Sequence, residues 1–254
     1  MSLPSLSILV PAFNEAESLP LLAEEIQTAM GNAGWELLIV DDGSTDETAS
    51  AIEDLCRNDQ RIHGFTLMKH AGKGDALAVG IHHAQGKTIV MMDADLQNDP
   101  ADIPLLLAAL TGGADVALGW RQERADALPK RWASRIFNAL CTIAFGERLH
   151  DANTGFKAIR RQALAHAPLQ GGLYRFLPHI LTHRGWHVVE IPVHHRPRRF
   201  GSTKYSILHR LKSIPDLLIA MIAAHAESDS SLPRHTELTH TPAKREPASA
   251  MMHT

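Results

Sequence analysis

Oxygen-bearing side chains recur at alternate positions in Met91-Met92-Asp93-Ala94-Asp95-Leu96-Gln97-Asn98-Asp99-Pro100. Alternate residues of an extended segment share one face. Asp93, Asp95 and Gln97 would then offer hard oxygen ligands together. Magnesium is commonly held by one or two carboxylates plus the phosphates of a substrate. An acidic turn after a strand has the same local sequence, and a bare Asp-x-Asp does not separate the two readings. Further acids stand in Pro11-Ala12-Phe13-Asn14-Glu15 and in Asp41-Asp42-Gly43-Ser44-Thr45-Asp46. Lys69-His70-Ala71-Gly72-Lys73-Gly74 sets glycines around a lysine, a pattern able to cradle an anion at a helix start. It lacks the Gly-x4-Gly-Lys-Ser/Thr order of a P-loop, and a solvated lysine at a helix start is the plainer alternative. Basic residues cluster twice downstream: Arg121, Arg124, Lys130, Arg131 and Arg135, then Arg196, Arg198, Arg199 and Lys204. Arg131 and Arg135 lie one helical turn apart. For each of these cations a solvated face is the competing reading.

The elements that must position these residues follow from periodicity and stop signals. Leu6–Val10, Trp35–Val40, Gly64–Met68, Thr88–Met92, Ala114–Leu118, Phe156–Ile159 and His187–Val193 read as strands. Helices are expected over Leu19–Met30, from the Ser44/Glu47 capping box to Arg57, and over Ala76–Ala84, Ile103–Leu110, Pro129–Phe145, Tyr174–His183 and Ser206–Ala224. The near-continuous apolar runs suit a parallel sheet buried on both faces. The expectation is an α/β fold: a mostly parallel central sheet with helices on both faces. Its carboxyl edge, where open α/β sheets bind ligands, would gather the loops at Pro11–Glu15, Asp41–Asp46, Lys69–Lys73 and Asp93–Gln97. Together they suit a nucleotide diphosphate bound through a divalent metal, with Asp42 accepting bonds from a base or ribose.

The chain has 254 residues, 44% of them apolar, enough for one sizeable domain with appendages. Its formal charge of −3 gives no general bias toward nucleic acid. The 16 histidines are mostly scattered, and the adjacent pairs His82-His83 and His194-His195 point in different directions on regular elements, so no zinc site is expected. Cys56 and Cys141 suggest no disulfide framework, hence a reducing compartment. The start lacks the pattern of a signal peptide. No run reaches the ~18 apolar residues of a membrane-spanning helix; Ile214–Ala226 is broken by Pro215 and Asp216. A cytoplasmic protein, at most peripheral on the cytoplasmic membrane face, is the expectation. The segment after Glu227 is rich in Ser, Thr, Pro and His without apolar periodicity and reads as a disordered tail.

The ordered set Val10-Pro11-Ala12-Phe13-Asn14-Glu15, Asp41 to Asp46, Gly72-Lys73-Gly74 and Asp93-Ala94-Asp95-Leu96-Gln97 resembles family 2 glycosyltransferases of the GT-A fold. Asp151 to Phe156, and Arg198 through Gly201-Ser202-Thr203-Lys204-Tyr205, narrow the resemblance to the dolichol-phosphate mannosyltransferase-like, polyprenyl-phosphate branch. It covers residues from about 5 to 212. The resemblance implies a catalytic domain over 1–212, followed by an amphipathic helix at 213–226 and the tail at 227–254. It implies a GDP- or UDP-sugar donor, with Pro11, Phe13, Glu15 and Asp42 lining the nucleoside pocket and Lys73 and Ala94 beside the donor. It implies Mg²⁺ or Mn²⁺ on Asp93, Asp95 and Gln97, and phosphate contacts from Arg121, Arg198 and Lys204, with Arg131 and Arg135 as candidates for a lipid phosphate.

A phosphomonoester is already largely anionic near neutral pH, its second pKa being ~6. As an acceptor it needs cationic screening rather than a general base, so inversion by one in-line displacement is expected. Asp151 would then orient, paired to an Arg or bound to a sugar hydroxyl. A neutral hydroxyl acceptor would instead make Asp151 an essential base, and a catalytically silent nucleotide-sugar-binding protein is the third reading. Many members of the branch carry two membrane helices after the catalytic domain; none is legible here. The basic-then-apolar helix after Lys204 could lie on a membrane surface or pack on the core, and a membrane-protein partner is the other route to a lipid acceptor.

Overall fold

The computed structural model of the chain describes residues 4–122, 140–146, 148–200, 213–225 and 235–238. Strands β1 (Leu6–Ala12), β2 (Trp35–Asp41), β3 (Ile62–Leu67) and β4 (Thr88–Met91) alternate with helices α1 (Leu19–Met30), α2 (Thr48–Asn58) and α3 (Lys73–His83). Then come α4 (Ile103–Thr111), β5 (Val116–Trp120), helical residues 140–145 (α5), β6 (Lys157–Arg160), α6 (Leu177–His183), β7 (Val188–Pro192), α7 (Ser213–His225) and β8 (His235–Leu238). All eight strands join one sheet in the order β7-β5-β6-β4-β1-β2-β3-β8. β6 runs antiparallel between β4 and β5, and β8 antiparallel beside β3; the other pairings are parallel.

The apolar runs give two layers. Leu6, Ile8, Val10 and Ala12 of β1 pack with Leu22 and Ile26 of α1, Ile52 of α2 and Leu106 of α4. Leu9, one residue out of phase, faces Ala76, Leu77 and Val79 of α3 and Leu177 and Leu181 of α6. Such two-sided burial is what a parallel core sheet requires. Gly80 lets α3 seat low on the sheet: a Cβ there would come within 2.0 Å of a Leu9 methyl. That depth brings the start of α3, with Lys73, up to the carboxyl edge.

The reversed strand β6 has the larger consequence. Its amino end, not its carboxyl end, lies beside the ends of β4 and β5, with Lys157 in register with Met91 and Leu118. The Asp151–Phe156 loop therefore joins the same edge as the loops after β1, β2, β3, β4, β5 and β7.

Two expectations are revised. Residues 173–183 are not one helix: a single 3-10 turn at Leu173–Arg175 precedes α6. The segment after Glu227, read as without structure, contributes β8, whose Gly64↔Leu238 to Leu67↔His235 pairing extends the β3 edge. An open strand edge accepts main-chain partners whatever their side-chain periodicity. Cys56 and Cys141 are buried and unbonded, and burial pushes the Cys141 thiol up to about 12.

Helices α5, α6 and α7 meet in a third apolar cluster through Cys141, Ile180, Ala220 and Ala224, with Phe176 at the start of α6. Other apolar side chains of α5 and α7 are exposed: Ile143 is 82% exposed, Leu218 64% and Ile222 70%, with Leu140 and Ile219 also exposed. The last helix packs on its neighbours through Ala220 and Ala224. Among the described residues, no helix is long and apolar enough to cross a membrane.

Candidate functional site

The β1 and β2 loops are built by short side chains bonding to nearby main chain. Asn14, at a left-handed φ of 53°, accepts from the Thr45 amide at 2.8 Å, while its own amide donates to the Ser44 hydroxyl at 2.8 Å. Asp41, 1% exposed, caps the turn through the Ser44 amide at 3.0 Å. Asp42 is also buried and reaches across to the β3 loop. It accepts from the amides of Ala71 (2.8 Å) and Gly72 (2.9 Å), and His70 Nδ1 lies 3.0 Å from its carboxylate. Expected as a base or ribose contact, Asp42 here first fixes the 70–72 loop. Phe13 stands against His70 with ring centroids 4.3 Å apart. Pro11 and Glu15 lie on the same side, the Glu15 amide donating to Thr48 Oγ1 at 2.9 Å.

Next along the edge is the acidic loop. β4 ends at Met91, and Leu96 takes a φ of 61° although it is not glycine. This left-handed residue breaks the extended geometry that would align Asp93, Asp95 and Gln97 on one face. Asp93, Asp95 and Gln97 thus stand on a turn rather than along one strand face. Gln97 turns its amide toward the Arg196 carbonyl at 3.4 Å, leaving Asp93 and Asp95 as the paired carboxylates. Asp93 forms an ion pair with Lys73, and Asp95 accepts from Arg198 Nη2 at 2.7 Å. Ala94 is buried between them. Burial raises the Asp93 carboxyl, but Lys73, Arg121 and Lys157 together hold it below the ordinary carboxylate value.

Two carboxylates with ammonium and guanidinium counter-charges suit a hard divalent cation shared with a diphosphate. Among the described residues no three His, Cys, Asp or Glu side chains converge, so diphosphate oxygens and water would complete such a shell.

The far side holds a second pair. Arg121 donates to Asp151 through Nε at 2.7 Å and Nη2 at 2.9 Å, a bidentate fork with Asp151 side chain 1% exposed. Glu190 of β7 sets the loop below it, accepting from the amides of Asp151 (2.7 Å) and His150 (3.0 Å). Trp120 stacks on His150, with centroids 4.6 Å apart.

Several of these participants carry little signal in the sequence. Lys157 is 4% exposed; burial, then the Lys73 charge, bring its ammonium down to about 7, against the pull of Asp93 and Asp151. Gly155 touches Asp93: a Cβ there would lie 2.1 Å from Asp93 Oδ2. Its place within the Asp151–Phe156 motif was the available clue, whereas nothing local marks Lys157 or Glu190. Beyond the acidic loop, a cleft of about 430 Å³ is lined by Glu25, Leu96 and Arg196–Arg199. Arg131, Arg135 and Lys204 lie outside the described residues.

Residues 7–167 match the family model described as glycosyl transferase family 2. The chain is 34% identical over 218 residues to an undecaprenyl-phosphate 4-deoxy-4-formamido-L-arabinose transferase of Salmonella typhimurium, covering 85% of this chain and 67% of that protein. A protein of the same name from Enterobacter sp. is 35% identical over 221 residues, with the same shares covered. Among solved structures, glucosyl-3-phosphoglycerate synthase from Mycobacterium tuberculosis, in complex with Mn²⁺ and uridine-diphosphate-glucose, superposes with a TM-score of 0.64 at 21% identity, covering 93% of this chain and 86% of that one. The fold is therefore GT-A. The chain belongs to glycosyl transferase family 2 and is a glycosyltransferase.

Proposed function

We propose that this glycosyltransferase moves a sugar from a nucleotide donor to a polyprenyl phosphate, with inversion and with Mg²⁺ or Mn²⁺ held at Asp93 and Asp95. One observation carries the reading. Lys73, Arg121, Lys157 and Arg198 surround two carboxylates at one sheet edge, and the remaining carboxylate, Asp151, is engaged by a bidentate Arg. That arrangement screens anions approaching from both sides. It leaves the usual candidate for a general base already paired, which favours an acceptor that arrives ionised. The relatives named as undecaprenyl-phosphate transferases support the acceptor class, and the solved synthase crystallised with Mn²⁺ and a uridine-diphosphate sugar supports the donor and metal class.

In this reading Phe13, His70 and Asp42 frame the nucleoside, with Pro11 and Glu15 beside them. Lys73 holds diphosphate oxygens in place. The metal, once bound, offsets negative charge on the leaving diphosphate. An oxygen of the acceptor phosphate forms the new bond to the anomeric carbon. The bond to the donor diphosphate breaks, and its electron pair leaves on the nucleoside diphosphate. Arg121 and Arg198 keep the two anions at reacting distance, and Asp151 orients Arg121. The cleft lined by Leu96, Pro197 and three arginines, with Glu25, suits a phosphate carried on a hydrocarbon. The uncovered face of Leu218, Ile219 and Ile222 would rest on the membrane that carries the acceptor.

The decisive experiment is a screen of UDP- and GDP-sugars with Mn²⁺ or Mg²⁺, with and without short-chain polyprenyl phosphate, read by the glycolipid formed. Nucleoside diphosphate release unaffected by the lipid phosphate would remove the acceptor assignment. Asp151→Asn is expected to retain measurable transfer, lowered roughly tenfold; complete loss with normal donor affinity would instead make Asp151 a base and the acceptor a hydroxyl.

A further inference from the structure

The segment after β7 lies antiparallel on the acidic loop in a single register. His195 bridges Asn98, Arg196 faces Gln97, and Arg198 faces Asp95. The Arg196 amide donates to the Gln97 carbonyl at 2.8 Å, and the Gln97 side chain returns to the Arg196 carbonyl. At one end His194 closes on buried Asp102, its amide 2.7 Å and its Nδ1 2.9 Å from that carboxylate. Bases on one segment thus match acids on the other.

Arg196 extends this match to a third element. Its Nη1 binds Glu25 of α1 at 2.7 Å, and its Nη2 binds Asp99 at 2.5 Å. Glu25 belongs to the helix that follows the nucleoside loop, and Asp99 belongs to the acidic loop. The guanidinium fork can make both bonds at once because its donors are fixed in one plane. Arg196 points away from Asp93 and Asp95 in its bonding, so it does not need to touch a reactant to matter.

We propose that Arg196 is a positioning residue: by bracing segment 194–198 against loop 95–99 and α1, it holds Arg198 opposite Asp95 and so sets the separation between acceptor phosphate and donor diphosphate. The effect on transfer rests on the proposed reaction, but the brace itself is structural and is tested separately. Without it, Arg198 keeps its charge, but nothing on its own segment holds it opposite Asp95. A misplacement of about 1 Å in a reacting pair can cost on the order of a hundredfold.

The test compares Arg196→Gln, Arg196→Lys and Glu25→Gln with the wild type. Two readouts are used: acceptor and donor KM with kcat, and amide hydrogen exchange at residues 194–198 and 95–99. Arg196→Gln should raise the acceptor KM roughly tenfold and lower kcat, leave the donor KM within about twofold, and speed exchange of the Arg196 amide. Arg196→Lys should fall between, since a single ammonium cannot span both acids. Combining Glu25→Gln with Arg196→Gln should add little to the latter alone, as for residues sharing one contact. Unchanged exchange in Arg196→Gln overturns the brace. Equal rises in donor and acceptor KM, or unchanged kinetics in a variant whose exchange has increased, overturn its role in positioning. Failure of the wild type to glycosylate polyprenyl phosphate counts against the acceptor assignment alone. The exchange result then still decides the brace, and the kinetic ratios transfer to whichever acceptor the screen identifies.

Discussion

At the edge near Phe13 and His70, the groups that shape the backbone are short: Asp41 and Asp42, both buried, and the half-buried Asn14, bonded to amides at 2.8–3.0 Å. Across the edge, segment 194–198 is held by long side chains reaching acids, with the Arg196 side chain 38% exposed and that of Arg198 22% exposed. Short buried contacts lose little entropy on ordering and are insensitive to salt. Long, half-exposed ion pairs cost rotamer freedom and are screened. In the proposed reaction, the donor side would therefore be set before any ligand binds, while the other side would be set by bonds that a phosphate can compete for. A transferase gains from that difference if its donor is a small soluble molecule and its acceptor arrives from a membrane.

The two sides meet at Asp93, and its loss should have the largest effect. Asp93→Ala should lower transfer by about a thousandfold or more while the melting temperature stays near that of the wild type; an active variant would sink the assignment of Asp93 to the leaving diphosphate. Lys157, buried at the same junction, makes a prediction about pH. Its proton is bound with a pKa of 10.5 in the unfolded chain and about 7 in the folded one. Between these values the unfolded chain carries more protons, so stability should rise with pH from about 7 upward. The rise should be on the order of a few kcal/mol, and Lys157→Met should flatten it in denaturant titrations at pH 7 to 9.5. If the wild type and Lys157→Met show parallel pH profiles, Lys157 is not buried as described.

Asp42→Ala tests the donor side alone. It strips acceptors from the Ala71 and Gly72 amides, an unsatisfied pair worth about 1–3 kcal/mol. The donor KM should rise roughly tenfold with the acceptor KM little changed, and Asp42→Asn, which keeps one oxygen, should recover part of the loss. An equal rise in both constants would erase the distinction between the two sides. The smallest effect is that of salt. Raising ionic strength from about 0.05 to 0.5 M should increase the acceptor KM a few-fold more than the donor KM, because the Debye length shrinks from about 14 Å to about 4 Å and screens the half-exposed cations from an approaching phosphate. A larger salt effect on the donor would reverse the comparison.

What was legible in the sequence follows the same division. The β-loop-α units of residues 6–83 were readable because their apolar runs end at Pro11, at Asp41-Asp42 and at Lys69, and glycines at 31 and 86 punctuate the chain after the first and third helices. Their loops are fixed by neighbours within the motif or by one adjacent strand. The acidic loop was misread in geometry because nothing in Asp95-Leu96-Gln97 announces a leucine at a left-handed φ. The segment that lies against that backbone, residues 194–198, is about a hundred positions away in sequence. Lys157 reads as an ordinary lysine after a polar loop. Its burial depends on β6 entering the sheet reversed, a pairing between residues far apart in sequence. The roles of Arg196 and Glu25 depend on each other across 171 positions, and neither residue signals the other.

The reversal of β6 also shapes what can change in the molecule without harm. Arg121 and Asp151 stand 30 positions apart, yet they close on each other at the edge from which the chain departs and to which it returns. Their ion pair acts as the clasp of a purse whose contents lie between them. The entropy of closing such an excursion grows only as the logarithm of its length. The cost of closing it therefore sets little constraint on the length of that interval.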